Sequence, residues 1–431
     1  MSFDNHLRQS LIWRGFYFLT LFTSNVVLSR FLLASGSGML FYFSTIFSLV
    51  VVVFGLSLES AFTYYASSNA IEDRKLLPIG IFWSLAITLV LYFLLPYYFS
   101  RFEKCDSYHS LLYTQYGCLY TLGILLTNYS LALFYSKGDY YLPNMAMGLL
   151  NVLFIAALFY LHFTIKNNEL VMRSYFIYNL SQGLLLLLLY KFFVLHKKPL
   201  KLPHKANLQQ VFKFALTCFL ANLVFFLVYR IDFWFVKSNC NASDLGNYIQ
   251  ASKLGQMFLI IPQIIASAIF PQTATGNNAD GIVAAIKALS RILLQFFMVI
   301  IILTGILGKA IFLLLFGASF NTMYWPMLLL LPGIFFLCNL TLIAAYFGGK
   351  GKVKHNLTGA SIALVVVLLG NILMLKHYGI GIAAIVSTIG YGVNYLYAIL
   401  QFRKHESYSW MEFIKWNKED WNWLIKMLWN R

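Results

Sequence analysis

Long apolar stretches alternate with short polar or charged segments along almost the whole chain. A helix that crosses a bilayer needs about 20 mostly apolar residues, and runs of this length recur between clusters of charge, Gly or Pro. The pattern predicts an all-α, polytopic membrane protein with twelve spans. They lie at residues 11–33, 39–66, 78–99, 111–135, 141–162, 172–195, 211–236, 246–271, 288–316, 324–347, 357–376 and 380–402.

A basic, proline-containing segment divides these spans into two groups of six. The pattern predicts an N-terminal lobe at 1–195, a cytoplasmic linker at 196–210, a C-terminal lobe at 211–402 and a tail at 403–431. An even number of spans in each lobe gives related lobes the same orientation in the membrane.

Composition agrees with this prediction and explains the net charge. Of the 431 residues 60% are hydrophobic and 11% charged, which excludes most soluble enzymes and nucleic-acid-binding folds because too little polar surface is available. With the N-terminus inside, Lys and Arg concentrate on segments that would face the cytoplasm, as the positive-inside rule requires. The net charge of +17 is therefore mainly a topology signal, and both termini are predicted to be cytoplasmic.

The two ends of the chain leave alternatives open. Residues 32–36 offer small side chains after an apolar run, as in a cleaved signal peptide, but the run is long and another span follows directly. Between 410 and 429, five tryptophans alternate with lysines, which predicts an interfacial helix on the inner leaflet. Docking of this tail on a partner protein is the alternative.

Polar side chains form a stripe on the second span and another on the eighth. At 100° per residue the first set lies within about 60° of Glu59 and the second within an arc of about 100°, which predicts that both line a central cavity. The sets are Ser44, Thr45, Ser48, Gly55, Glu59 and Thr63 in span two, and Ser252, Lys253, Gln256, Gln263 and Ser267 in span eight.

A shift of 208 residues, the separation of Ser44 from Ser252, superposes the two stripes. It also matches Gly38 to Gly246 and Phe62 to Phe270. We interpret the match as a weak internal repeat in which spans two and eight are equivalent walls. Two unrelated helices with polar packing faces are the alternative.

Charged residues within the spans are the candidate site. Lys253 lies about two turns into its span, where its charge costs about 2 to 3 kcal/mol unless it is paired or hydrated. Pairing with Asp232 would be structural, whereas a phosphate ligand would be functional. The candidates for substrate phosphate are Arg14, Arg30, Arg230 and Lys253, although Arg14 and Arg30 could also snorkel to the interfaces.

Carboxylates and prolines complete the set of candidates. Glu59 and Asp232 are candidates for coupling to a proton or sodium ion. Pro262 and Pro332 each remove a helical hydrogen bond and are predicted hinges in spans eight and ten.

Motifs of catalysis and cofactor binding are missing from the sequence. There is no His-Glu-x-x-His zinc site, Walker loop or Gly-x-Ser-x-Gly elbow, and the outer loops are short. The five cysteines lack metal-ligand spacing and suit packing. We therefore expect no enzyme activity, cofactor, metal or nucleic-acid partner.

Six short stretches resemble, in order, the Wzx-type polysaccharide-export flippases of the multidrug, oligosaccharidyl-lipid and polysaccharide (MOP) exporter superfamily. They are Ser29-Arg30-Phe31-Leu32, residues 55–67, Tyr229-Arg230-Ile231-Asp232, residues 245–271, residues 331–351 and residues 378–384. The sequence departs from these relatives at 34–37, where acidic or proline residues are common.

The resemblance implies two six-helix lobes around a cavity lined by spans one, two, seven and eight. It further implies flipping of undecaprenyl-diphosphate-linked oligosaccharide across a bacterial inner membrane, together with other polysaccharide-assembly proteins. An ion-coupled drug or cation antiporter of the same superfamily is the main alternative, and a membrane glycan polymerase or ligase is another.

Overall fold

The computed structural model describes residues 3–196, 199–275, 279–406, 410–413, 415, 417 and 420–421. These described residues are mostly helical and contain no strand. The α-helices are α1 (Phe3–Gly55), α2 (Leu58–Ser67), α3 (Asp73–Arg101), α4 (Ser107–Ser136), α5 (Tyr141–Tyr160), α6 (Asn168–Leu189), α7 (Lys205–Asn239), α8 (Ala242–Met257), α9 (Ile260–Thr275), α10 (Ala279–Phe316), α11 (Tyr324–Gly349) and α12 (Val353–His405).

Short segments of other helical geometry extend or follow some of them. Leu161–Ile165 and Tyr190–Val194 are π-helical and continue α5 and α6. Ala318–Met323 and Trp410–Phe413 are 3₁₀-helical.

Nine helices among the described residues are long and apolar enough to cross a membrane. Two of them, α1 and α12, have 53 residues each, and a straight helix of that length would measure about 80 Å against a hydrocarbon core of about 30 Å. A single non-helical residue interrupts each one, Leu33 in α1 and Gly379 in α12. Each long helix therefore contains two of the predicted spans.

Helix α12 is a hairpin. The Lys352 ammonium, just before its first residue, lies 3.0 Å from Nδ1 of His405, its last residue. Gly359 packs on Asn394, and Gly390 packs on Val367, which is the pairing of antiparallel halves. Gly379 makes the turn with φ of 68°, a conformation that a residue without Cβ adopts readily.

Helices α8 and α9 have 16 residues each and together correspond to predicted span eight. With α1 and α12 counted as two spans each, the described residues account for all twelve predicted spans. The all-α, polytopic prediction is therefore confirmed. The apolar runs were informative because each one ends at charges, Gly or Pro.

Contacts within the chain divide it into two compact units. The first unit contains the chain up to Leu33 and Met39–Leu223, and the second contains Ala34–Gly38 and the chain from Val224 onward. The boundary lies inside α7, beyond the predicted linker at 196–210. The segment Ala34–Gly38 groups with the second unit although the sequence around it belongs to the first.

Each unit has its own core. In the first unit α3, α4 and α6 pack around an aromatic cluster in which Phe47 contacts Phe99, Tyr120 and Phe176. In the second unit α11 is central and packs on α8, α9, α10 and α12. Burial of such apolar surface is the main stabilising contribution in either unit.

The described part of the tail lies on α10 in the second unit. Lys287 pairs with Glu412 at 2.6 Å, and the Arg291 guanidinium binds both carboxylate oxygens of Asp420 at 2.6 Å. Phe413 is buried. The rest of the predicted interfacial helix, including 422–431, lies outside the described residues, so that prediction stays open.

Candidate functional site

Span two is broken next to its candidate carboxylate. Helix α1 ends at Gly55, Leu56 and Ser57 adopt left-handed φ values of 52° and 58°, and α2 begins at Leu58. Left-handed backbone is unfavourable for residues with a Cβ, so other contacts must hold it. The Ser57 hydroxyl is buried and accepts a hydrogen bond of 2.9 Å from the Asn222 amide of α7.

This break places Glu59 in the first turn of α2, half-buried near Tyr129 and Cys218. The N-terminus of a helix favours a negative charge because its free N–H groups point outward. A local helix start therefore stabilises the carboxylate in a way that a continuous span would not.

The predicted stripe of span two is not one continuous face. Ser44 and Thr45 are buried, and Ser48 is bonded to the Tyr120 hydroxyl of α4 at 2.8 Å. Thr63 is exposed and lies in α2, beyond the break. A helical wheel assumes a constant rotation of 100° per residue, and the left-handed backbone at Leu56 and Ser57 interrupts that rotation. Glu59 and Thr63 therefore do not continue the arc of Ser44 as we had inferred, whereas Gly55 is the last residue of α1 and precedes the break.

Span eight is also broken, in a different way. Phe258 and Leu259 separate α8 from α9, and Pro262 lies four residues after Phe258. Because proline has no N–H, the Phe258 carbonyl lacks its helical donor, and the Cys338 thiol of α11 donates to it at 3.7 Å. Pro262 thus coincides with a real interruption, whereas its role as a hinge stays a prediction.

The span-eight stripe divides at the same place. Ser252 is buried and accepts a bond of 3.1 Å from Gln256 in α8, while Lys253 is half-buried. Gln263 and Ser267 are exposed in α9. The two halves of this stripe therefore lie on two consecutive helices, α8 and α9.

The matched glycines Gly38 and Gly246 contact each other directly, within the second unit. A Cβ on Gly38 would lie 2.6 Å from the Gly246 nitrogen, and one on Gly246 would overlap the Ala34 carbonyl oxygen. Ala34 also donates its N–H to the Ser319 hydroxyl at 3.2 Å. The segment Ala34–Gly38 is therefore packed backbone to backbone on the first turns of α8.

Asp232 is the centre of a buried cluster in the second unit. Its side chain is 1% exposed, and Oδ2 accepts hydrogen bonds from the Tyr248 hydroxyl of α8 and, at 3.0 Å, from the Ser387 hydroxyl of α12. The other oxygen, Oδ1, is buried and has no hydrogen-bond partner among the described residues. An ionised carboxylate with a buried unsatisfied oxygen is costly, so this oxygen is ready to accept a proton or bind a cation.

Two candidate cations lie near this cluster. The Arg230 guanidinium is 5.1 Å from the centre of the Phe233 ring and acts electrostatically on both Asp232 and Lys253. Arg230 thus acts on both Asp232 and Lys253, three residues of spans seven and eight that the sequence had grouped by depth. When all three are ionised, the two basic groups and one carboxylate carry a net positive charge.

The remaining two candidate cations lie in the first unit. The Arg14 guanidinium is 4.5 Å from the ring centre of Tyr135 and 4.9 Å from that of Tyr140, a cation–π arrangement. Arg30 is exposed on α1.

Pro332 does not interrupt its helix. Helix α11 is continuous from Tyr324 to Gly349 with Pro332 inside it. The Thr388 hydroxyl of α12 donates to the Leu329 carbonyl at 2.7 Å, next to the carbonyl that proline leaves without a donor. Gly333 packs closely on the Thr388 side chain. Pro332 therefore lies in a well-packed helix, and its hinge role stays a prediction.

Sequence reasoning missed several polar partners. Tyr248 and Ser387 bond to Asp232, and Asn222 bonds to Ser57, yet only Tyr248 lay in a stretch that we had singled out. A single Ser or Asn within an apolar span was the available signal. A helical wheel shows which face a residue occupies, but it does not identify the neighbouring helix.

No protein-family model matches the sequence, and no curated protein matches it. Solved structures do match over nearly the whole chain. The Vibrio cholerae MATE transporter VcmN in its bent form is 15% identical with a TM-score of 0.66, covering 93% of this chain and 96% of its own. The chain shares the fold of this structure.

Two other structures with the MOP fold widen the comparison. The lipid II flippase MurJ, in an inward closed conformation, is 14% identical with a TM-score of 0.64, covering 95% of this chain and 91% of its own. A MOP superfamily transporter from Pyrococcus furiosus is 14% identical with a TM-score of 0.66, covering 94% and 97%. At such low identity these likenesses show the MOP fold and leave the substrate open.

Proposed function

We propose that this protein is a flippase that moves undecaprenyl-diphosphate-linked oligosaccharide repeat units from the cytoplasmic to the periplasmic leaflet. The product would feed the synthesis of a surface polysaccharide such as O-antigen, capsule or exopolysaccharide. The resemblance of the six sequence stretches supports this substrate, and the MOP fold, shared with a lipid II flippase, supports transport across a membrane.

The observation that carries the proposal is the position of Arg230 within electrostatic range of both Asp232 and Lys253. A diphosphate cannot enter hydrocarbon without partners, because an uncompensated charge there is costly. Charge-assisted hydrogen bonds from Arg and Lys are the strong interactions that proteins offer to phosphate. Arg14 and Arg30 of the first unit are further candidates for the same ligand.

Movement of the substrate would proceed by alternating access. The outward transfer of negative charge is assisted by about 2.3 kcal/mol per charge at 100 mV, inside negative. Asp232 is the stronger candidate for ion coupling because its Oδ1 is buried and has no hydrogen-bond partner among the described residues. Glu59, at the start of α2, is the second candidate.

In this proposal the protein is not an enzyme and uses no cofactor. It acts in the bacterial inner membrane as a multi-pass protein with both termini in the cytoplasm, where membrane lipids and other polysaccharide-assembly proteins are its partners. The nine long apolar helices among the described residues support the multi-pass membrane location.

A cell-based assay tests the function. Deletion of the gene is expected to trap lipid-linked repeat units on the cytoplasmic leaflet, measured by extraction of lipid-linked glycan and by loss of surface glycan. Arg230→Ala and Lys253→Ala are each expected to lower export about tenfold or more, since each removes a charged hydrogen-bond donor. Lys309→Ala, an exposed lysine of α10, is the matched control and is expected to leave export unchanged. Normal surface glycan in the deletion strain, without a second copy of the gene, would reject the proposal.

An ion-coupled drug or cation antiporter is the second candidate, because MATE transporters have the same fold. The charges disfavour it, since a cationic drug would meet Arg230 and Lys253. This candidate predicts drug sensitivity on deletion and ion-driven drug uptake in vesicles. A polymerase or ligase would instead shorten glycan chains while single repeat units still reached the outside.

A further inference from the structure

A cavity of about 280 Å³ in the first unit has no role in the proposed function. Three connections form it: the one between α2 and α3, the one between α4 and α5, and the end of the π-helical turn after α6. Its lining includes Asn69, Glu72, Asp73, Arg74, Lys137 and Leu195. The predicted topology places all three connections on the cytoplasmic side, at the level of the lipid headgroups.

Charges of both signs meet around this cavity. Arg74 bonds to Glu72 at 2.8 Å, and Lys137 lies 3.2 Å from Asp73. Lys201, from the basic segment after α6, lies 3.7 Å from Glu72, and its N–H donates to the Arg74 carbonyl at 3.0 Å. Asp73 also accepts a bond of 2.6 Å from the buried Tyr190 hydroxyl. The cations and carboxylates are thus already paired with each other.

Paired charges of this kind select for a ligand that also carries both charges. An anion alone would draw Arg74 and Lys137 away, leaving Glu72 with only the more distant Lys75 and Lys201 and Asp73 with only its Tyr190 hydrogen bond. A ligand with a phosphate and an ammonium group can offer the phosphate to the basic side chains and the ammonium group to Glu72 at the same time. At about 30 Å³ per water molecule in the liquid, the cavity holds about nine groups of that size, which is sufficient for a phosphoethanolamine headgroup.

We propose that this cavity binds a zwitterionic phosphate–amine, with the phosphate on Arg74 and Lys137 and the ammonium on Glu72. Asp73 keeps its hydrogen bond from Tyr190 and lines the site. Arg74, through its hydrogen bond, keeps the pKa of Glu72 below its usual value, so the carboxylate is ionised at neutral pH. The ligand can be the headgroup of phosphatidylethanolamine or a soluble phosphoethanolamine. The proposal does not depend on the transported substrate.

Binding to the purified full-length protein in detergent tests this site. The probes are short-chain phosphatidylethanolamine, short-chain phosphatidylglycerol, O-phosphoethanolamine and inorganic phosphate, each titrated while the thermal unfolding midpoint is followed. Stabilisation by phosphatidylethanolamine alone supports a lipid site, and stabilisation by phosphoethanolamine as well supports a site for the headgroup itself. Equal stabilisation by phosphatidylglycerol or inorganic phosphate overturns the zwitterion proposal, as does no stabilisation by any probe.

Variants of the protein test the contacts of the phosphate and of the ammonium group separately. Lys137→Gln and Arg74→Gln are each expected to weaken phosphatidylethanolamine binding about tenfold. Because Lys137 pairs with Asp73, Arg74→Gln provides a test that leaves that pair in place. Glu72→Gln is expected to weaken phosphatidylethanolamine binding while strengthening that of phosphatidylglycerol, because only the ammonium acceptor is lost. Lys166→Gln, an exposed lysine between α5 and α6, is the matched control. Unchanged binding in both Arg74→Gln and Glu72→Gln would overturn the proposal.

Discussion

Spans two and eight were expected to be equivalent, and the structure shows that both are broken but by different means. Span two is interrupted by Leu56 and Ser57 in left-handed backbone, which contacts from elsewhere must hold, such as the Asn222 bond to Ser57. Span eight is interrupted ahead of Pro262, whose missing N–H disfavours a continuous helix from within. Two matched spans can therefore both contain a helix break, although the break in span two depends on tertiary contacts and the break in span eight depends on local sequence.

The largest expected effect concerns the two matched glycines. Gly246→Ala places a methyl group against the Ala34 carbonyl oxygen, and we expect it to destabilise the protein by about 1 to 3 kcal/mol or more. Thermal unfolding in detergent measures the effect. Gly38→Ala is expected to destabilise less, because the shortest approach of its methyl group is longer. Gly305→Ala, whose Cβ would meet nothing within 4 Å, is the control and should be neutral or stabilising. Equal tolerance at Gly246 and Gly305 would contradict this account.

A smaller effect distinguishes the two breaks themselves. At Leu56, with φ of 52°, a glycine variant should be more stable than an alanine variant by about 1 kcal/mol, because only glycine accepts left-handed backbone without strain. At Phe258, with φ of −65°, the order should reverse by about 0.5 to 1 kcal/mol. The comparison of Gly with Ala at one site cancels the loss of the native side chain. The same order at both sites would show that the breaks are alike after all.

The smallest expected effect concerns the connection that follows span two. Hydrogen bonding from Arg74, with Lys201 and Lys75 nearby, lowers the pKa of Glu72 below its usual value of 4.5 in the folded protein. A carboxylate whose pKa falls on folding stabilises the protein above the unfolded value, and this contribution is lost as the pH drops through the folded value. The thermal unfolding midpoint of the wild type should therefore fall slightly more in acid than that of Glu72→Gln. Identical pH profiles for the two proteins would argue against it.

Hydropathy was sufficient to predict the twelve spans, because burial in lipid requires long apolar runs and those runs end at charges, Gly or Pro. It did not predict the breaks at Leu56 and Phe258, since the helical wheel assumes a constant phase. Gly55 and Pro262 were the local signals for them. The group of Arg230, Asp232 and Lys253 was predictable from depth along neighbouring spans. Its partner Ser387 was not, because the fold brings it from a span more than 100 residues away.

The hairpin in α12 has a consequence for biosynthesis. Its halves are joined at the single residue Gly379, so no loop exists there, and Lys376 is the one Lys or Arg within three positions of the turn. Most of the basic residues that can orient the pair lie at its two ends, which meet where Lys352 approaches His405, close to Arg403 and Lys404. The larger number of basic residues at the two ends therefore favours one side of the membrane for both, which favours insertion of the two spans together as one unit.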